Sequence, residues 1–150
     1  MTATLIAVLG TLSGAVVAGF MQHLSATRTT RTAMAEQRRR ALADAVPALL
    51  SALVRHREQQ YLKIVARREG VADTVETRQA RYAARSAVTS AMDTLFMTTQ
   101  DSALLAVAQD AVDAAMAVGD VPADELDAAG LRARQAHTAL RVAGAQRIYS

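Results

Sequence analysis

Cysteine and tryptophan are missing from this 150-residue chain, proline occurs twice, glycine seven times, and Phe and Tyr together number five. Each shortage excludes something. Without Cys there is no disulfide framework, no thiolate metal site and no cysteine nucleophile. So few Gly and Pro cannot supply the turns of a loop-rich all-β domain. With 51% hydrophobic and 21% charged residues, the chain is not a disordered polar tail. Much of the apolar half is alanine, and an alanine core with so few rings implies closely packed helices.

Charge is also missing from one place. Residues 2–21, TATLIAVLGTLSGAVVAGFM, carry none. As a helix this run is about 30 Å long, the thickness of a bilayer's hydrocarbon core. It therefore reads as a transmembrane anchor over residues 1–22. A buried core helix would need other helices on every side, and the rest of the chain is too amphipathic to supply them. A cleaved signal peptide, with small residues around Ala18 as its processing site, is the other alternative. Its leading segment should be basic, and Met-Thr-Ala-Thr has no Lys or Arg.

The flanks orient the span. Arg28, Arg31, Arg38, Arg39 and Arg40 follow it against one acid, Glu36. Positive flanks stay in the cytoplasm, so the N-terminus is expected outside and the remainder inside the cell membrane. The same arginines suit anionic headgroups at the bilayer surface. Within the span, Ala7, Gly10, Thr11, Gly14, Ala15, Ala18 and Gly19 form one small-residue face, and Gly10 to Gly14 is a GxxxG. Such faces let helices approach closely in lipid, which points to a homo-oligomer.

Beyond the anchor the chain keeps helical chemistry. An Arg-rich juxtamembrane stalk is expected over 23–45, and an antiparallel cytoplasmic bundle of about four helices over 46–150. The fold class is all-α. Pro47 should kink or restart the first helix, with Asp44 available as a cap. Val46, Leu49, Leu50, Leu53, Val54, Tyr61, Ile64 and Val65 make its apolar stripe, and Gly70 ends it. Asp73-Thr74-Val75-Glu76 reads as a capping box with Asp73 as the cap. Asp101 caps a third helix that stops at Gly119, and Asp120 with Pro122 starts the last one. Gly130 and Gly144 weaken that last helix.

The net charge of +3 conceals two halves. Residues 1–92 carry 13 bases and 6 acids, and residues 93–150 carry 4 bases and 8 acids. Arg78, Arg81 and Arg85 share one helix face. They are expected to meet the acidic helices of their own chain, with phosphate of a nucleic acid as the less favoured partner.

No catalytic pattern emerges. None of His23, His56 and His137 has a carboxylate three residues earlier, and there is no HExxH or P-loop. His56 lies in a polar run and reads as solvated. Asp110 and Asp113 share a wet helix face. The expectation is no enzyme, no metal and no cofactor.

One resemblance is carried by Leu5-Ile6-Ala7-Val8-Leu9-Gly10-Thr11-Leu12, then Gln22-His23 and the Arg-rich stretch. It continues through Arg55-His56-Arg57-Glu58-Gln59-Gln60-Tyr61 and Asp101-Ser102-Ala103-Leu104-Leu105-Ala106-Val107-Ala108. The layout resembles a KilB-like group of small actinobacterial one-span proteins associated with conjugative plasmids and their spread. The resemblance implies no catalytic residues. The leading expectation is a non-enzymatic membrane anchor or scaffold, accessory to plasmid or phage functions and with a possible protein partner at the membrane. A membrane-permeabilising protein of holin or Kil type is the first alternative, and a membrane-tethered DNA-binding adaptor the second.

Overall fold

The computed structural model describes residues 2–149 apart from Ala123, with side-chain surroundings from residue 32 onward. Four α-helices follow one another: α1 Thr2–Arg68, α2 Val75–Thr98, α3 Ser102–Ala117 and α4 Leu126–Tyr149. No strand occurs among the described residues. The chain divides into two compact units, Met1–Gln37 and Arg38–Ser150. The small-residue face, Arg28 and Arg31 lie outside the residues whose side chains are described. Among the described residues no helix is long and apolar enough to cross a membrane.

The second unit holds the core. From α1 it takes Ala45, Val46, Leu49, Ala52 and Leu53; from α2, Ala84, Val88 and Leu95. From α3 come Leu104, Ala108, Ala111 and Ala115, and from α4 Ala133, Ala136 and Leu140. Among the described residues, half of the buried hydrophobic ones are alanine and none is aromatic. Small side chains let helix axes approach, and at one point the approach is extreme. A Cβ on Gly144 of α4 would lie 2.5 Å from Val46 Cγ1 of α1. Close contact between Val46 of α1 and the late part of α4 fits an up-and-down order. At the other end, Lys63 Nζ donates to the Gly119 carbonyl at 3.4 Å, joining late α1 to the end of α3. Short connections between successive helices enforce this alternation.

Local chemistry sets the boundaries. Gly70, with φ of 69°, carries the chain out of α1 in the left-handed region that glycine tolerates. Thr74 caps α2: the Thr77 N–H donates to Thr74 Oγ1 at 3.2 Å, and the Thr74 N–H donates to Thr77 Oγ1 at 3.0 Å. Asp101 caps α3, accepting from the Ala103 and Leu104 N–H groups, each at 3.0 Å.

Three expectations need correction. Pro47 neither breaks nor restarts α1, which continues through it to Arg68, so Asp44 has no cap to make. An interior proline costs about 3 kcal/mol. Ala45, Val46 and Leu49, buried on both sides of it, commit the helix to one core and outweigh that penalty. The α2 cap is Thr74, one residue later than the Asp73 reading, because Thr77 reciprocates its hydrogen bond. Finally, α4 begins at Leu126. Residues 118–120 and 124–125 instead lie in turns, and the Glu125 N–H donates to the Pro122 carbonyl at 3.1 Å. Val118, buried against the core, and Val121, packed partly into it, hold this segment down before the helix starts.

Candidate interaction surfaces

The arginines singled out in the sequence part company. Arg78 and Arg85 are exposed, while Arg81 is half-buried. Arg81 Nη2 donates to Asp73 Oδ2 at 2.5 Å, and Thr77 Oγ1 donates to Asp73 Oδ1 at 2.7 Å. The Arg81 bond first, then that from Thr77, holds the Asp73 carboxyl down to about 2. The partner of Arg81 is therefore the turn before its own helix. Asp110 of the third helix and its cap Asp101 are met from elsewhere: Arg132 pairs with Asp110 and Arg147 with Asp101, each at 2.5 Å. Both bases lie on α4, which packs extensively along α3. Arg38, Arg39 and Arg40 are exposed.

Two clefts lie near the end of the bundle reached by late α1. One, of about 430 Å³, lies between the end of α1 and the start of α2. Lys63, Arg67 and Arg81 stand over it, with Leu62, Val71 and Ala72 in its walls. The other, about 380 Å³, opens between α1 and α4. Val54, Tyr61, Val118 and Leu126 give it apolar walls, and Gly130 leaves room where another residue would project a side chain. Arg57, Glu58, Asp127 and Arg134 also line it. Desolvation and then the facing Arg134 charge push the Arg57 pKa down from its usual value. Among the described residues, none of these four charged groups makes an ion pair. Val54 and Tyr61, which the periodicity assigned to the inner stripe, are 47% and 60% exposed.

A third cleft, about 710 Å³, sits at the opposite end beside Arg38 and Leu42. Phe96 and Met97 close α2 there and are 62% and 85% exposed.

The polar interior is small. His56 is 1% exposed, which corrects the solvated reading. It falls three residues after Leu53 and seven after Leu49, so helical spacing places it on the buried face. Neither ring nitrogen has a hydrogen-bond partner, and Gln60 Oε1 and His137 Nδ1 are likewise buried and unpaired. Burial first, then the Arg85 charge, lowers the His56 pKa, while Asp120 opposes the shift. His137 is lowered by burial, then by Arg57 and Arg141. Among the described residues no group of three or more His, Asp or Glu could hold a metal ion.

The fold and these surfaces define the class: an all-α protein of four helices whose recesses are apolar and rimmed with charge. The chain belongs to the KilB plasmid transfer protein family, whose signature matches residues 43–148. Protein KilB of Streptomyces lividans is 39% identical over 97 residues, covering 63% of this chain. The chain spans 63% of that relative's own length. No solved structure matches. The family match coincides closely with the compact unit Arg38–Ser150, so it is the bundle that carries the family's signature.

Proposed function

We propose that this chain is a non-enzymatic, single-span membrane protein whose helical bundle is a cytoplasmic interaction domain, accessory to plasmid transfer. The observation that carries the reading is the charge-free run over residues 2–21 followed by five arginines and one acid. An uncharged twenty-residue segment suits a bilayer, and its basic flank suits the cytoplasmic face. Membership of a plasmid transfer family supplies the process. The bundle's recesses, lined by apolar walls and mixed charge, suit protein contacts more than small-substrate chemistry. Self-association through Ala7, Gly10, Thr11, Gly14, Ala15, Ala18 and Gly19 fits the same role.

Fractionation tests it. The full chain should sediment with membranes, stay there through a high-salt and carbonate wash, and enter solution only with detergent. Protease added outside intact spheroplasts should leave the bundle uncut. Recovery in the soluble fraction without detergent would overturn the reading.

A further inference from the structure

The groove between α1 and α4 presents a contradiction within a single chain. Its walls are apolar, and Tyr61 stands open at its edge, 60% exposed. Arg57 and Arg134 line it together, and neither has an ion-pair partner among the described residues. Glu58 and Asp127 line the same groove and are also without an ion-pair partner among the described residues. Two bases and two acids therefore share one face, with both signs unanswered.

A face that carries both bases and acids, none of them paired within its own chain, offers each sign to a second copy of itself. In a two-fold interface each contact occurs twice, residue i on j and j on i. A second copy, turned about a two-fold axis, brings its acids to these bases and its bases to these acids. The apolar walls and Tyr61 then supply the buried centre, and charged groups the rim, the usual division of a specific interface. A foreign partner would need both signs on one apolar face; another copy of this chain carries them.

We propose that the α1–α4 groove is a homodimer surface, in which Tyr61 of each copy packs against the other's groove and Arg57 and Arg134 pair with the partner copy's acids. This rests on reading the chain as a self-associating anchor, and adds a second contact within the bundle.

The absence of cysteine makes the test clean. The single substitution Val54→Cys places a thiol on this face, and Thr89→Cys places one on an exposed part of α2. In the full chain, held in detergent, mild oxidation should give covalent dimer from Val54→Cys at least tenfold more readily than from Thr89→Cys. Equal yields from both positions, or no dimer from Val54→Cys, would overturn the proposal. A charge exchange tests it independently. Two charge-exchanged chains, one with Arg57→Glu and Arg134→Glu and the other with Glu58→Arg and Asp127→Arg, both carrying Val54→Cys, should each fail to crosslink at the groove alone. Mixed, they should form the heterodimer, which also demonstrates that both are folded. Undiminished crosslinking by either charge-exchanged chain alone, or no recovery on mixing, would refute it. A Val54→Cys chain that is soluble without detergent and still crosslinks would end the anchor reading and keep this interface. Membrane-bound chain that does not crosslink there would do the reverse.

Discussion

A histidine sealed in a core with both ring nitrogens unpaired opposes folding. Each buried polar group left without a partner costs about 1–3 kcal/mol. His56 is such a residue. Leucine removes the unsatisfied atoms and keeps most of the volume. His56→Leu should therefore raise stability by about 1–3 kcal/mol, read as a higher urea midpoint. The variant also addresses pH. The folded chain holds His56 below its ordinary value, so as pH falls through about 6.5 the unfolded chain takes up a proton that the folded chain refuses. Stability is thus full above that pH and lost below it, toward the depressed folded value. His56→Leu should reduce this acid slope and leave the part due to His137. An unchanged slope between pH 7 and pH 5 would show that His56 is not the group responsible.

Helices are joined here by close approach rather than by large side chains, and Gly144 is where this matters most. Intrinsic propensity favours Ala over Gly in a helix by about 1 kcal/mol. Packing argues the other way, because the new methyl would press on Val46, and overfilling a core costs about 1–3 kcal/mol. We expect packing to win: Gly144→Ala should lower stability, and Val46→Ala added to it should recover part of the loss. Equilibrium unfolding decides, since a stabilised single variant would mean that the contact yields. Sequence periodicity reads Gly144 only as a weak point, because local propensity does not reveal what a neighbouring helix places beside it. The same limit explains Val54 and Tyr61, whose spacing is right for the core but whose side chains fall at its margin. It explains Pro47 too, where tertiary burial overrules a local breaker. Signals that act within a few residues were legible. Gly70 ends α1, Asp101 caps α3, and Leu104, Ala108, Ala111 and Ala115 point inward as their period requires. The groove was not legible, because its four charged residues come from two helices and pattern alone does not bring 57 and 58 beside 127 and 134.

On the scale of the whole molecule, every residue of the buried core among the described residues comes from Ala45 or later, and the family signature begins at residue 43. This points to a bundle that folds by itself. A chain beginning at Arg38 should be strongly helical and unfold in one cooperative thermal transition, as circular dichroism and calorimetry would report. A broad melt without a heat-absorption peak would show that residues 1–37 contribute to the fold. The charge asymmetry of the sequence is also settled locally. The bases of α4 answer Asp110 and Asp101, so the long acidic stretch does not depend on the basic half of the chain for those two.

The missing side chain at Gly144 also acts as a ruler. Sliding α4 along α1 by one turn, about 5.4 Å, would bring Leu140 or Ile148 opposite Val46. Either would collide where only a hydrogen now fits. The notch therefore fixes the vertical alignment of the first and last helices. That alignment brings Arg134 and Asp127 of α4 into the groove that Arg57 and Glu58 of α1 line. A single absent methyl group near the end of the chain thus sets the spacing of a charge pattern several turns away.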